Sequence, residues 1–81
     1  VKKDRANILI AISDKGEIWI NKRRIDERAV QENIERLRAE NPQGSVVIQA
    51  DKKATTDVLI KVMDASRSAG VYDVSIAAQE P

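Results

Sequence analysis

From Asn7 to Ser13 two polar residues flank an apolar run in which isoleucine holds every second position, with Ile8, Ile10 and Ile12 on one side and Leu9 and Ala11 on the other. A two-residue period in a β-branched stretch predicts a strand. Asp14-Lys15-Gly16 has turn chemistry, and Glu17 to Ile20 reads as a second strand, so the two form a β-hairpin. Ile18 and Ile20 then share the core face, and Trp19 points the other way. Asn21-Lys22-Arg23-Arg24 reads as a polar connection.

The period then lengthens. Val30, Ile34 and Leu37 recur at spacings of four and three, giving the apolar stripe of a helix, with Asp26 as its N-cap and Asn41-Pro42 as its end. Ser45 to Ala50 reads as a third strand. Its run Val46-Val47-Ile48 suits burial on both faces. A second helix follows, capped by Thr55 or Thr56, with Asp57 in its first turn, Leu59, Val62, Met63 and Ser66 at helical spacing, and Gly70 as its stop. Val71 to Ala78 closes the chain as a last strand.

The predicted order is ββαβαβ, an α+β fold. Right-handed crossovers place both helices on one face of a single mixed sheet. Ile8, Ile10, Ile12, Ile18, Ile20, Val46, Ile48, Val74 and Ile76 face the helices; Leu9, Ala11, Trp19, Val47, Gln49, Ser75 and Ala77 face outward. That outer face carries Leu, Val and Trp, so it is a candidate contact surface. Trp19 either covers a sheet edge or anchors a protein interface, where Trp is enriched.

Composition narrows the chemistry. In 81 residues there is room for one domain. Without Cys or His there is no thiolate, no Ser-His-Asp triad and no ordinary zinc site. A net charge of +1 supplies no field to draw in nucleic acid. The basic clusters Lys22-Arg23-Arg24 and Lys52-Lys53 lack the aromatic strand motif or Gly-x-x-Gly loop of small RNA-binding folds. Asp51, at the end of a central strand, and Asp57 are the best acids for Mg²⁺ chemistry. No base, nucleophile or phosphate loop accompanies them, so Asp51 is expected to order its loop and Asp57 to cap its helix. No catalytic residue, metal ligand or cofactor site is assigned, and the chain is not expected to be an enzyme. The longest apolar run, Ile8 to Ile12, is far short of the about 20 residues of a membrane span. Val1 to Ala6 is charged and lacks a Met, so residues 1–6 are expected to be a linker from a missing transmembrane helix, and residues 7–81 the domain.

The stretches Val47-Ile48-Gln49-Ala50-Asp51-Lys52-Lys53, Val58 to Asp64 with its Val62-Met63-Asp64, Ala69-Gly70-Val71 and Val74-Ser75-Ile76-Ala77 resemble the periplasmic domain of the ExbD/TolR family. Ile18-Trp19-Ile20, Asp26 and Asn41-Pro42 resemble it too. The likeness runs from about Asn7 to Ala78 and is closer to ExbD than to TolR. Ala54-Thr55-Thr56 departs from it, since many members carry an aromatic before this helix. The resemblance implies a subunit with one proton-carrying transmembrane helix, set within an ExbB-like pentamer. That complex works a TonB-like protein to drive uptake of iron chelates across the outer membrane. It implies a periplasmic location in a Gram-negative cell, a homodimer and a TonB-like partner; the TolR branch would instead make the domain a peptidoglycan anchor. Trp19, Val47 and Ala77 are the expected partner or dimer surface. The resemblance implies a functionally sensitive closing strand, which makes Ile76 a further interface candidate, although it holds the family's core aliphatic position and is expected first of all to pack in the core. If Ile76 is plain core, Ile76→Ala costs roughly 2–5 kcal/mol.

Overall fold

The computed structural model describes residues 7–79. The predicted linker over residues 1–6 lies outside the described residues. β1 (Ile8–Ile12), β2 (Ile18–Ile20) and β3 (Arg23–Ile25) form an antiparallel meander. A single 3₁₀ turn, Glu27–Ala29, leads into α1 (Val30–Glu40). β4 (Val46–Asp51), α2 (Thr56–Ser68) and β5 (Val74–Gln79) complete the chain. The strands lie in the order β3-β2-β1-β4-β5, with β1, β4 and β5 mutually parallel. This is the expected α+β architecture, one mixed sheet with two helices.

One strand is additional. Arg23 and Arg24 were expected to lie in a polar connection, yet Arg23–Ile25 pairs with β2 in the register Ile18↔Ile25, Trp19↔Arg24, Ile20↔Arg23. The cause is the two-residue turn before it. Asn21 and Lys22 both take positive φ, 51° and 72°, the left-handed pair that reverses a hairpin tightly. Asn21 is held there by β1: its N–H donates to the Leu9 carbonyl at 2.8 Å, and its Oδ1 accepts from the Leu9 N–H at 3.1 Å.

The core is the helix-facing side of the sheet. Ile8, Ile10, Ile12, Ile18, Ile20, Val46 and Ile48 are buried with Val30 and Ile34 of α1 and Val62 of α2. β4 was expected to be buried on both faces. Its burial instead alternates, because both helices stack on one side and Val47 is only half-covered on the other. Helix ends follow local chemistry. The Asp26 carboxylate accepts from the Arg28 N–H at 2.9 Å and caps the 3₁₀ turn rather than α1 itself. α2 closes in a Schellman motif: the Gly70 N–H donates to Arg67 O and the Val71 N–H to Ser66 O, both at 2.9 Å. Gly70 has φ 97°, and a Cβ there would stand 3.3 Å from the Arg38 guanidinium.

Ile76 departs from expectation. It points to the helix side, opposite Ile48 in the register, but it is 47% exposed where Ile48 is 0%. Widths explain the difference. Two helices of about 10 Å diameter cover about 20 Å, while five strands at about 4.8 Å occupy about 24 Å. The outermost strand overhangs, and Ile76 lies on the overhang.

Candidate interaction surfaces

Two surfaces emerge. The first is the free edge of the sheet along β5. Each strand end of a sheet offers unpaired backbone groups, and folded proteins commonly guard such edges with charge or short length. β3 is guarded in both ways: it has three residues, and Arg23 and Arg24 are exposed. β5 is not. Its six residues, Val-Ser-Ile-Ala-Ala-Gln, carry no charge, and Ser75, Ile76 and Ala77 are exposed.

Backbone direction follows from one hydrogen bond. The Val46 N–H donates to the Asp73 carbonyl at 3.0 Å, so the polar groups of Asp73 face β4. N–H and C=O of successive strand residues alternate in direction. The backbone groups of Ser75 and Ala77 therefore face β4, and those of Val74, Ile76 and Ala78 face the open edge. Ile76 thus offers a free donor and acceptor beside a half-exposed aliphatic side chain.

The second surface is the outer face of the sheet. The register lines up Arg24, Trp19, Ala11, Gln49 and Ala77 in one row across all five strands. Trp19, Val47 and Ala77 share this face, with β1 and β4 between Trp19 and Ala77, whereas Ile76 points to the opposite one. Trp19 does not cap an edge: it lies on β2, inside the sheet, with the Arg24 guanidinium 5.4 Å from its ring centroid. Arg24 also stands 3.6 Å from Glu17. Arg24 was overlooked as connection; its pairing with Trp19 needed β3, and only the Asn21-Lys22 dipeptide hinted at that strand.

Among the described residues no three acids gather into a group that could hold a metal ion. Asp51 is structural, its Oδ1 accepting from the Lys53 N–H at 2.8 Å in the loop after β4. Asp57 is exposed in the first turn of α2 and makes no capping bond there. Its charge adds to the effect of Glu27 on Lys61. The Lys61 ammonium hydrogen-bonds Glu27 at 2.8 Å, and that bond and the carboxylate's charge hold its pKa above the usual 10.5. No helix among the described residues is long and apolar enough to cross a membrane.

These surfaces belong to a recognisable sequence group. The family described as Biopolymer transport protein ExbD/TolR matches residues 1–80. The chain is 41% identical over 81 residues to Biopolymer transport protein exbD2 of Vibrio cholerae serotype O1. That match takes in the whole of this chain and 60% of the relative's length. The chain belongs to the ExbD/TolR family, and within it lies closer to ExbD.

Proposed function

We propose that this chain is the periplasmic interaction domain of an ExbD-like subunit in a proton-motive-force-driven TonB-ExbB-ExbD complex. Its task is to contact a TonB-like protein and so couple the motor to outer-membrane uptake of iron chelates. An ExbB-like partner is met through a transmembrane helix outside residues 7–79, anchored in the inner membrane. The observation that carries this reading is the unguarded β5 edge. An extended segment of a TonB-like protein adds there as a sixth strand, with main-chain bonds to Ile76 supplying affinity and its side chain supplying selectivity. The same edge takes a second copy of the domain when no partner segment occupies it, so dimer and partner complex compete.

The test uses the ¹⁵N-labelled domain titrated with synthetic segments spanning the periplasmic part of the TonB-like protein from the same organism. Amide shifts should centre on Val74 to Ala77. Ile76→Pro should abolish them: it removes the outward N–H, and proline is tolerated on an edge strand where that group faces solvent. Binding that persists in Ile76→Pro would exclude strand addition at this edge.

A further inference from the structure

Leu9, Ala11, Trp19, Lys22 and Gln49 line a shallow hollow of about 410 Å³ on the outer face of the sheet. Its lining is apolar at Leu9, Ala11 and Trp19 and polar at Gln49, and its rim is basic. Lys22 makes no hydrogen bond or ion pair with any described residue. Arg24 stands over the Trp19 ring and makes one ion pair among the described residues, the 3.6 Å contact to Glu17, with the two side chains 59% and 36% exposed. Two cations against one carboxylate leave the rim with a net positive charge. Lys22 also occupies a position, φ 72°, where glycine is the favoured residue of a tight hairpin. A cation stands at the lip of an apolar hollow at a conformational cost, and such local strain points to use.

We propose that this face docks an acidic peptide segment, one that seats an apolar side chain on Leu9, Ala11 and Trp19 and sets a carboxylate against Lys22. Charge complementarity selects the occupant. A neutral glycan needs an open aromatic face, and Arg24 covers one face of the Trp19 ring. A bilayer needs protruding apolar side chains, and here Leu9, Ala11 and Trp19 line a hollow instead. A carboxylate beside an aliphatic group meets both the rim and the floor. The hollow lies on β1, β2 and β4, three strands that do not include the β5 edge, so the two surfaces can be occupied at once.

Trp19 is the chain's single tryptophan, so its fluorescence reports this site alone. The probe is a capped hexapeptide of alternating leucine and glutamate, titrated into the domain at low ionic strength. Expected is a saturable change in Trp19 emission. Affinity should fall roughly fivefold when the peptide's glutamates become glutamines, and by a similar factor in Lys22→Gly, as for one exposed charge-assisted contact. Lys22→Gly suits the turn, so the thermal midpoint should not fall and lost binding cannot be blamed on lost fold. Ile76→Pro, which disables the β5 edge, should leave the titration unchanged. Equal affinity for the glutamine peptide, or no effect of Lys22→Gly, overturns the proposal. Binding lost in Ile76→Pro but kept in Lys22→Gly also overturns it, by placing the peptide at β5. A change produced by phosphatidylglycerol vesicles and not by the peptide overturns it in favour of a membrane surface.

Discussion

Ile48 and Ile76 sit opposite each other in the register and point to the same side of the sheet, yet one is 0% and the other 47% exposed. Truncating each to alanine separates core from overhang. Either change removes three carbons, worth about 2.4 kcal/mol in transfer free energy at about 0.8 kcal/mol per buried group. At Ile48 the neighbours cannot collapse fully onto the space, and the cavity term brings the loss to about 3–4 kcal/mol. At Ile76 about half the transfer term survives, and solvent fills the gap, so the loss is about 1 kcal/mol. Urea unfolding followed by Trp19 fluorescence and by circular dichroism measures both. In a domain of this size, about 1 kcal/mol moves the thermal midpoint by about 4–8 °C. Ile48→Ala should therefore lower it several times further than Ile76→Ala. Partner binding should show the reverse order, with Ile76→Ala the more damaging at temperatures where both variants are folded. Equal stability losses for the two would refute the overhang argument. Ile76 would then be plain core, as its family position implied.

Gly70→Ala should destabilise by about 1–2 kcal/mol in urea unfolding, mainly because φ 97° is left-handed, with the Arg38 side chain shifting aside. Lys22→Gly should raise stability by up to about 1 kcal/mol in the same assay, since the left-handed turn residue loses its Cβ penalty. Asp26→Ala removes the cap on the Arg28 N–H and should cost about 1 kcal/mol. Lys61 has its pKa raised by Glu27, so its pair stabilises the fold below the unfolded value of 10.5 and loses that effect as pH rises through the folded value. The small difference in thermal midpoint between the native chain and Lys61→Gln should therefore be present at about pH 9 and shrink as pH rises above 10.5.

Much of this fold is readable in the pattern of side chains, and the misreadings have two causes. Isoleucine at every second position in Ile8 to Ile12 and in Ile18 to Ile20 is enough to assign faces, and it places Trp19 on the outer face as observed. β3 escaped because three residues, two of them arginine, carry one apolar position, Ile25, and no period. Its signal lay in the Asn21-Lys22 turn, where lysine stands in place of the expected glycine. The double burial expected of β4 and the core role expected of Ile76 failed for a different reason. Alternation says which face a residue takes, but not whether anything covers that face. Coverage depends on strand order and on the width of the helix layer, and both are properties of the assembled chain. Trp19, Val47 and Ala77 were therefore legible as one surface, while Arg24 and Lys22 joined it only through β3.

Amide hydrogen exchange at Ile76 tests the central claim most directly. Its N–H faces the open edge of β5, so in the free, dilute domain it should exchange quickly, while that of Ser75, facing β4, is protected. Saturation with a binding TonB-like segment should slow Ile76 exchange strongly and leave Ser75 little changed. A segment that binds and leaves Ile76 exchange as fast as before would contradict strand addition, and with it the assignment of β5 as the working edge of this domain.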